Sequence, residues 1–302
     1  MQESKKQNSV IVYLTRLNDL WVFRYSIKLL CLNFNKEYNY PIIVFHTDLT
    51  NSAISKVLSE LIIDLGYLPD IKFEKISNTV PDDVSTEESK YTFPLLKYGH
   101  GINYRNMCRF LGGQIFKHSA LSNYQFYMKL DSDSFILSKL TYDPFTHMKD
   151  NGYEYSFLES KTQDSDYAHE GFWDCTKKFI DSNITRINNP YPTEWDGKVY
   201  NPNFEMVNID FFRNNNYQDY FDYIDGTRNI YYKRWGDHCI KQLGIKMFMK
   251  PNKILCITDI GYLHGSDIKN MKHVEINSVM LLPEPFKTNI MKQIESIHHV
   301  KQ

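Results

Sequence analysis

The chain has 302 residues, of which 42% are hydrophobic and 24% charged, a composition that predicts a globular protein with a sizeable core and excludes disordered and fibrous architectures. Its 35 basic and 36 acidic residues leave a formal net charge of -1, so no overall positive field favours nucleic acid or an anionic membrane as a partner. The first apolar run, at residues 10–14, is far shorter than the roughly 20 residues of a membrane span, and no signal peptide is recognised.

The amino-terminal third of the sequence alternates strands and helices. Residues 1–9 are polar and predict a flexible arm before a folded domain at residues 10–302. Short apolar runs predict strands at residues 10–14, 40–45 and 71–76. Apolar residues at the helical period predict helices from Leu20 to Phe34 and across residues 57–65. This order predicts an α/β fold with an open, mostly parallel sheet, whose ligands bind at the carboxyl ends of the strands.

The rest of the chain gives a mixed pattern. Residues 78–101 show no period and predict a lid, a binding loop or a partly disordered segment. Residues 104–118 predict a helix, although Gly112 and Gly113 each cost it roughly 1 kcal/mol relative to alanine. Strands are also predicted at residues 124–130, 153–158, 204–212 and 254–262, and helices at residues 217–224 and 235–243.

Two carboxylates follow one of these strands, where an α/β sheet meets its ligand. Asp131 and Asp133 come directly after the strand at residues 124–130. A hard divalent ion takes oxygen ligands and can neutralise the charge on a departing nucleotide diphosphate. The two carboxylates therefore predict a metal site. The alternative is a solvated turn at the end of the strand. His264 lies just beyond another apolar strand and would complete the metal shell, its nitrogen favouring Mn²⁺ over Mg²⁺. The alternative for this residue is an ordinary surface or core histidine.

Four other charged residues and one tryptophan lie in sequence contexts that are typical of functional sites. Glu205 is flanked by apolar residues and has no evident partner, which predicts a nucleophile, a base, a substrate anchor or a structural buried carboxylate. Arg105 and Arg109 lie four residues apart on one helical face and would bind phosphates or pair with acidic neighbours. Asp237 and Trp235, in an RWGD sequence, predict a hydroxyl acceptor and a flat apolar wall for a sugar, with a helix N-cap as the alternative for Asp237.

Five blocks of sequence follow one another along the chain. They are YRNMCRF at residues 104–110, the strand into Asp131–Asp133 followed by YDPF at 142–145, NFEMVNIDFFR at 203–213, YYKRWGD at 231–237 and DIGYLHG at 259–265. Together the blocks closely resemble the fungal α-1,2-mannosyltransferases of glycosyltransferase family 15. Their order and approximate spacing match from Val10 to about Gly265.

The resemblance implies a GT-A fold, in which a Rossmann-like mixed sheet flanked by helices forms a single domain. It implies a nucleotide-binding half at residues 10–133 and an acceptor-binding half at residues 134–302. It also implies that mannose passes from GDP-mannose to a hydroxyl of a glycan acceptor, with Mn²⁺ bound and with the α configuration retained.

The family's site residues fall on matching positions of this chain. Its acidic metal motif falls on Asp131 to Asp133 and its metal-binding histidine on His264, so Mn²⁺ is expected to bridge Asp133, His264 and the diphosphate. Its site glutamate, proposed as a nucleophile near the anomeric carbon, falls on Glu205, which we expect to be catalytic together with Asp237. The nucleotide and its phosphates are expected to contact Thr15, Arg16, Tyr104, Arg105, Arg109 and Asp131.

Two departures from the family pattern leave alternatives open. The chain has Asp-Ser-Asp where the family usually carries Glu-Pro-Asp, which affects the metal geometry. The family's amino-terminal anchor and stem are not found, so a soluble, cytoplasmic location is expected as the chain stands, or the Golgi lumen if an anchor has been removed. The rival functions are transfer from another nucleotide sugar and sugar binding without turnover.

Overall fold

The structure is a computed structural model, and it describes residues 8–85, 101–162, 170–187 and 194–299. Its centre is a seven-stranded sheet with the strand order β10-β6-β9-β4-β1-β2-β3. These strands are β1 (Ser9–Thr15), β2 (Ile42–His46), β3 (Ile71–Lys75), β4 (Phe126–Asp131), β6 (Tyr155–Phe157), β9 (Phe204–Asn208) and β10 (Ile254–Cys256). Most of the predicted arm, residues 1–7, lies outside the described residues.

The sheet is parallel at one end and mixed at the other. β1 pairs in parallel with both β2 and β4, whereas β9 runs antiparallel to β4 and β6. The pairing of β1 with β4 places Leu14 beside Asp131, so the end of the first strand lies next to the acidic motif. The mixed sheet confirms the GT-A architecture that the resemblance implies.

Two small sheets flank the central one. The first joins β12 (Asp267–Lys269), β11 (Tyr262–His264) and β5 (Ser134–Ile136), and the second joins β7 (Ser160–Thr162) and β8 (Lys198–Tyr200). In the first sheet Ser134 of β5 lies opposite His264 of β11. This antiparallel pairing brings His264 beside the turn at Asp131–Ser134, 130 residues away in the sequence.

Helices cover both faces of the central sheet. They are α1 (Leu20–Leu30), α2 (Lys36–Tyr38), α3 (Asn51–Leu65), α4 (Ile102–Gly112), α5 (Pro144–Asp150), α6 (Phe172–Ser182), α7 (Ile209–Arg213), α8 (Asn215–Gly226), α9 (Asn229–Tyr232), α10 (Asp237–Phe248), α11 (Ile276–Met280) and α12 (Phe286–His299). Among the described helices, none is both long enough and apolar enough to cross a membrane.

Local capping accounts for several of these helix ends. The Thr50 hydroxyl accepts the backbone N–H of Ala53 at the start of α3, and Gly66 ends the same helix in the left-handed region. The predicted helix from Leu20 to Phe34 is α1 continued by a π-helical segment, Cys31–Asn35. The strands predicted at residues 10–14, 40–45, 71–76 and 124–130 are confirmed as β1, β2, β3 and β4.

Three predicted elements end differently in the structure. The helix predicted across residues 104–118 stops at Gly112, and Gln114–Lys117 form a separate 3-10 turn. The strand predicted across residues 204–212 stops at Asn208, because the side chain of Asn208 caps the next helix by accepting the backbone N–H of Asp210. The strand predicted across residues 254–262 divides into β10 and β11, which belong to different sheets.

Apolar side chains fill both faces of the sheet in alternation. In β1, Val10 and Val12 pack on one face, and Ile11 and Tyr13 pack on the other. In β9, Val207 belongs to the first face, which α10 covers, and Phe204 and Met206 belong to the second. Because strand residues alternate, Glu205 points toward the α10 face, where an apolar residue would be expected.

Candidate active site

The end of β1 meets the acidic turn through side-chain contacts. Thr15 is buried, and the hydroxyl of Ser132 donates a hydrogen bond of 2.9 Å to the Thr15 hydroxyl. Arg16 is exposed beside it, with its guanidinium 2.6 Å from the carboxylate of Asp19. The structure therefore places Thr15, at the end of β1, and Arg16, which follows it, at the same edge of the sheet as the acidic motif.

Two carboxylates and one imidazole converge at this edge. The Nε2 atom of His264 lies 3.4 Å from Oδ2 of Asp131 and 3.3 Å from Oδ1 of Asp133. All three side chains are about one third exposed, so they lie at a solvent-facing surface. Gly265, in the left-handed region at φ 56°, turns the chain next to Asp133, and its N–H donates to the carbonyl of Asp133. The three predicted metal ligands are thus brought together.

The charges of this cluster support one another. Burial works against the charged forms, but the cation of Lys129 and the imidazole of His264 hold the pKa of Asp131 well below its usual range. Burial also works against a charged His264, but hydrogen bonds to Asp131 and Asp133 outweigh it and raise the pKa of His264 to about 9. The imidazole of His264 and the carboxylate of Asp131 therefore each favour the charged form of the other.

The donor set fits a divalent ion, although the side chains contact one another directly. Within the described residues, no group of three His, Cys, Asp or Glu side chains is already arranged around a common metal position. Two carboxylates and a nitrogen are nevertheless the ligand types that suit Mn²⁺. Metal binding requires a neutral imidazole, so binding of the ion would compete with protonation of His264.

A buried hydrogen-bond network supports the acidic turn from behind. The Ser134 hydroxyl accepts the backbone N–H of Asp131 at 3.2 Å and lies 2.6 Å from the hydroxyl of Tyr262. It also donates to the carbonyl of Asn203, and Tyr262 donates to the side chain of Asn203. Sequence reasoning missed this support, because its members come from three separate segments of the chain.

Glu205 lies in the interior with every side-chain oxygen engaged. It is fully buried, and its Oε1 accepts hydrogen bonds from Tyr127 at 2.9 Å and from Lys241 at 2.7 Å. Its Oε2 accepts a hydrogen bond from Tyr155 at 3.0 Å. The expectation that Glu205 has no partner is wrong, because α10 and the neighbouring strands β4 and β6 each supply a donor that the local sequence does not reveal.

Asp237 begins α10 and is also buried. Its Oδ2 lies 3.1 Å from the ammonium of Lys241, one helical turn further on. Burial opposes its charge, but Lys241, with His238 contributing, holds the pKa of Asp237 well below its usual range.

Trp235 is buried as well, packing edge-on against Phe172, so the prediction that it forms a flat apolar wall for a sugar is wrong. Its indole N–H donates a hydrogen bond of 3.0 Å to the backbone carbonyl of Glu170, so the polar atom of the buried ring is satisfied.

The predicted phosphate contacts on α4 are engaged within the protein. Arg109 makes two hydrogen bonds, of 2.7 and 2.8 Å, to the carboxylate of Asp225. Arg105 is buried and donates to the carbonyl of Tyr231. The guanidinium of Arg234 lies 5.3 Å from the centre of the Tyr104 ring, which is a cation–π contact. The acidic-pair alternative accounts for the Arg109 contact, and a phosphate role for these arginines stays a prediction.

Two lysines of the site did not stand out in the sequence. Lys129 is buried and bonds to Asp131 and to the carbonyl of Pro202, and its position on β4 lies opposite Glu205 of β9. Lys241 joins Glu205 to Asp237. The available signals were a charged residue inside the apolar strand that precedes Asp131, and the four-residue spacing between Asp237 and Lys241.

Comparison with known proteins identifies the family. The profile of the glycolipid 2-alpha-mannosyltransferase family matches residues 1–280. The chain belongs to this family. The family resemblance noted in the sequence is therefore confirmed, and the chain is a glycosyltransferase with a GT-A fold.

Individual relatives agree with the family assignment. Probable mannosyltransferase KTR3 of Saccharomyces cerevisiae is 30% identical over 284 residues, which cover 87% of this chain and 68% of that protein. Glycolipid 2-alpha-mannosyltransferase 2 of Candida albicans is 31% identical over 281 residues, which cover 86% of this chain and 59% of that protein. The chain thus spans between 59% and 68% of the length of these two relatives.

Solved structures show the same fold. The mannosyltransferase Ktr4p of S. cerevisiae, solved in complex with GDP, has a TM-score of 0.79 and 26% identity, covering 87% of this chain and 72% of that one. Core-mannan synthase A of Aspergillus fumigatus, in its Mn/GDP form, has a TM-score of 0.81 and 24% identity, covering 89% of this chain and 78% of that one.

Proposed function

We propose that this protein transfers mannose from GDP-mannose to a sugar hydroxyl of a glycan, forming an α-1,2 linkage with retention and using Mn²⁺. The observation that carries the proposal is the convergence of Asp131, Asp133 and His264 at the sheet edge where β1 ends. Family membership supports mannose as the sugar, and the GDP complex of Ktr4p supports a guanosine nucleotide.

The residues at the sheet edge would bind different parts of the donor. Asp131, Asp133 and His264 would hold the ion, which when bound supplies a Lewis acid for the leaving diphosphate. Ser134 and its network fix the backbone at Asp131, so the carboxylates are oriented before the donor arrives. Thr15 and Arg16 lie where the nucleotide is expected to meet the end of β1.

The buried carboxylates favour an electrostatic role in catalysis. Direct attack by the acceptor from the rear would invert the anomeric centre, so retention needs two displacements or departure and attack on the same face. Both oxygens of Glu205 are held by donors, which restrains the carboxylate from moving to form a covalent bond. We therefore assign Glu205 to the stabilisation of positive charge on the sugar, with Asp237 supplying a second negative charge on the other side of Lys241.

Donor specificity is the direct test of the proposal. GDP with Mn²⁺ should raise the melting temperature more than UDP with Mn²⁺ at equal concentration, because a ligand that binds the folded state stabilises it by mass action. The protein should also release mannose from GDP-mannose slowly in water and faster with a mannoside acceptor. A larger shift with UDP would favour another nucleotide sugar, and GDP binding without turnover would favour a sugar-binding protein.

The metal assignment is tested by one substitution. Asp133→Ala should lower kcat on the order of 100-fold, because the leaving diphosphate loses most of its charge stabilisation. A chelator should have the same effect on the wild type. Asp181→Ala, at an exposed position of α6, serves as the control and should behave as the wild type. Full activity of Asp133→Ala or of the chelated enzyme would disprove the metal assignment.

A further inference from the structure

Lys241 is a cation enclosed by the protein interior. Its side chain is only 2% exposed, and its ammonium lies 2.7 Å from Oε1 of Glu205 and 3.1 Å from Oδ2 of Asp237. Burial works against its charge, but the fields of Glu205 and Asp237 outweigh burial and raise the pKa of Lys241. The lysine is therefore charged at neutral pH and bridges two carboxylates that belong to different elements.

The fold explains why a lysine reaches both partners. Asp237 and Lys241 are four residues apart on α10, so their side chains share one face of the helix. That face packs on the side of the sheet where Glu205 of β9 points. The bridge therefore fixes the first turn of α10 relative to the central strands.

Other charged and titratable groups around the bridge do not replace Lys241. Lys129 faces the same region from β4, but its ammonium bonds to Asp131 and to a backbone carbonyl. Tyr127 and Tyr155 donate to Glu205 as neutral hydroxyls, since burial keeps the pKa of each well above its usual value. Tyr217, on α8, is also held neutral by burial, which raises its pKa. Among the described groups that contact Glu205, Lys241 supplies the positive charge.

Stability alone gives no reason for this arrangement. A buried ion pair is often no better for stability than well-packed apolar residues of similar volume, because removing charges from water is costly. Removing one partner, however, leaves an uncompensated charge, and a buried carboxylate without a cation favours its protonated form. The charge of Asp237 thus depends on Lys241, with His238 contributing, and the position of Glu205 depends on its contact with the same ammonium.

We propose that Lys241 is a positioning residue for glycosyl transfer, which keeps Asp237 ionised and holds Glu205 and Asp237 at a fixed separation. This inference rests on the proposed function for its kinetic consequences only. Lys241 does not touch the reacting atoms in this assignment. It sets the negative charge and the orientation that the two carboxylates present to the sugar in the transition state.

The test compares Lys241→Met with the wild type. We expect kcat to fall about 100-fold while KM for the donor changes less than about threefold, because the charges act mainly in the transition state. The acidic limb of the kcat profile should move to higher pH, because ionisation of the buried Asp237 then lacks the cation of Lys241. The control is Lys246→Met, on the same helix, which removes the pair with Asp196 and should leave kcat unchanged.

Infrared spectroscopy gives a readout that does not depend on the donor. Lys241→Met should show the carbonyl stretch of a buried protonated carboxylic acid at pH 7, and the wild type and Lys246→Met should not. Adding Asp237→Asn to Lys241→Met should remove this band. If the wild type does not use GDP-mannose, the proposed function fails, and this band alone then decides the role of Lys241.

Each outcome decides the proposal. Wild-type kcat in Lys241→Met, or a lower kcat without the protonated-acid band, would overturn it. If Lys241→Met does not fold, Lys241→Arg decides: the larger guanidinium keeps the charge but displaces the carboxylates, so kcat of the folded variant should fall at least about tenfold, and overpacking should lower its melting temperature. Wild-type kcat in Lys241→Arg would show that fixed separation does not matter and would overturn the proposal.

Discussion

Glu205 shows how a single residue acquires its properties from distant parts of the chain. Its neighbours in β9 are apolar core residues, yet it is stabilised as a carboxylate by donors from β4, β6 and α10. Three donors occupy most of the roughly four acceptor positions of this buried carboxylate. The same contacts that hold the charge also hold its position, which suits electrostatic stabilisation more than nucleophilic attack.

At the scale of a single residue, we predict the effect of Glu205→Gln. The amide keeps the shape and loses the charge, and Lys241 retains Asp237 as a partner, so the fold and GDP binding should survive. We expect kcat to fall on the order of 100-fold with little change in KM, since the lost charge acts in the transition state. Steady-state kinetics, GDP titration and thermal melting on the same sample measure these quantities.

The matched control for this variant is Glu74→Gln on β3. This strand lies at the far edge of the sheet, with β4, β1 and β2 between it and β9. Early melting together with loss of GDP binding in Glu205→Gln would make Glu205 structural. A stable variant with near-normal kcat would remove Glu205 from the mechanism.

At the scale of elements, the predictions succeed where the signal is local. Strands β1 to β4 and helices α1 and α3 follow from short apolar runs and from helical periodicity. The predictions fail where an element is ended by a contact from elsewhere or by a cap. Helix α4 is the clearest case, because its end at Gly112 coincides with a close approach of the ring of Phe221 from α8.

This close approach predicts an effect of Gly113→Ala. Gly113 has φ -161°, outside the left-handed region that favours glycine, so the reason for glycine is sought in the space around it. A Cβ atom there would lie 2.3 Å from ring carbons of Phe221, inside the core. We expect the free energy of unfolding to fall by about 1–3 kcal/mol from overpacking, measured by urea denaturation.

Gly226→Ala is the matched control at the end of α8. A Cβ atom at this exposed position meets nothing within 4 Å, so alanine should be neutral or should stabilise the protein by up to about 1 kcal/mol. Equal stabilities of the two alanine variants would show that the core at Gly113 has room for a methyl group, contrary to the packing described.

At the scale of the whole molecule, the sequence predicted the members of the site better than their connections. Asp131, Asp133 and His264 could be named from a strand-end motif and from family resemblance. The links of Glu205 to Tyr127, Tyr155 and Lys241 span 78, 50 and 36 residues. Such links depend on strand order and on how α10 packs on the sheet. A local sequence pattern encodes neither of these features.

A second charge cluster, remote from the site, predicts how stability depends on pH. Asp64 on α3 is mostly buried and lies 2.6 Å from Nε of Arg24 and 3.2 Å from Nζ of Lys28, both on α1. Burial opposes its charge, but these hydrogen bonds outweigh burial and lower the pKa of Asp64. The stabilisation is therefore present above the unfolded pKa of about 3.9 and is lost as pH falls through the lower folded value.

We therefore expect Asp64→Asn to be less stable than the wild type by about 1–3 kcal/mol at pH 7, because a charge-assisted pair of hydrogen bonds is lost. The difference should shrink steadily below about pH 4, where the wild-type carboxylate also becomes protonated and the two proteins become alike. Urea denaturation at pH 7, 5, 4 and 3 measures this difference in the free energy of unfolding.

Asp222→Asn is the control, since Asp222 is 62% exposed and 3.7 Å from Lys117, and a surface pair of this kind contributes little. A difference for Asp64→Asn that stays constant from pH 7 to pH 3 would show that its charge does not couple α1 to α3, and that packing alone holds these helices on the sheet.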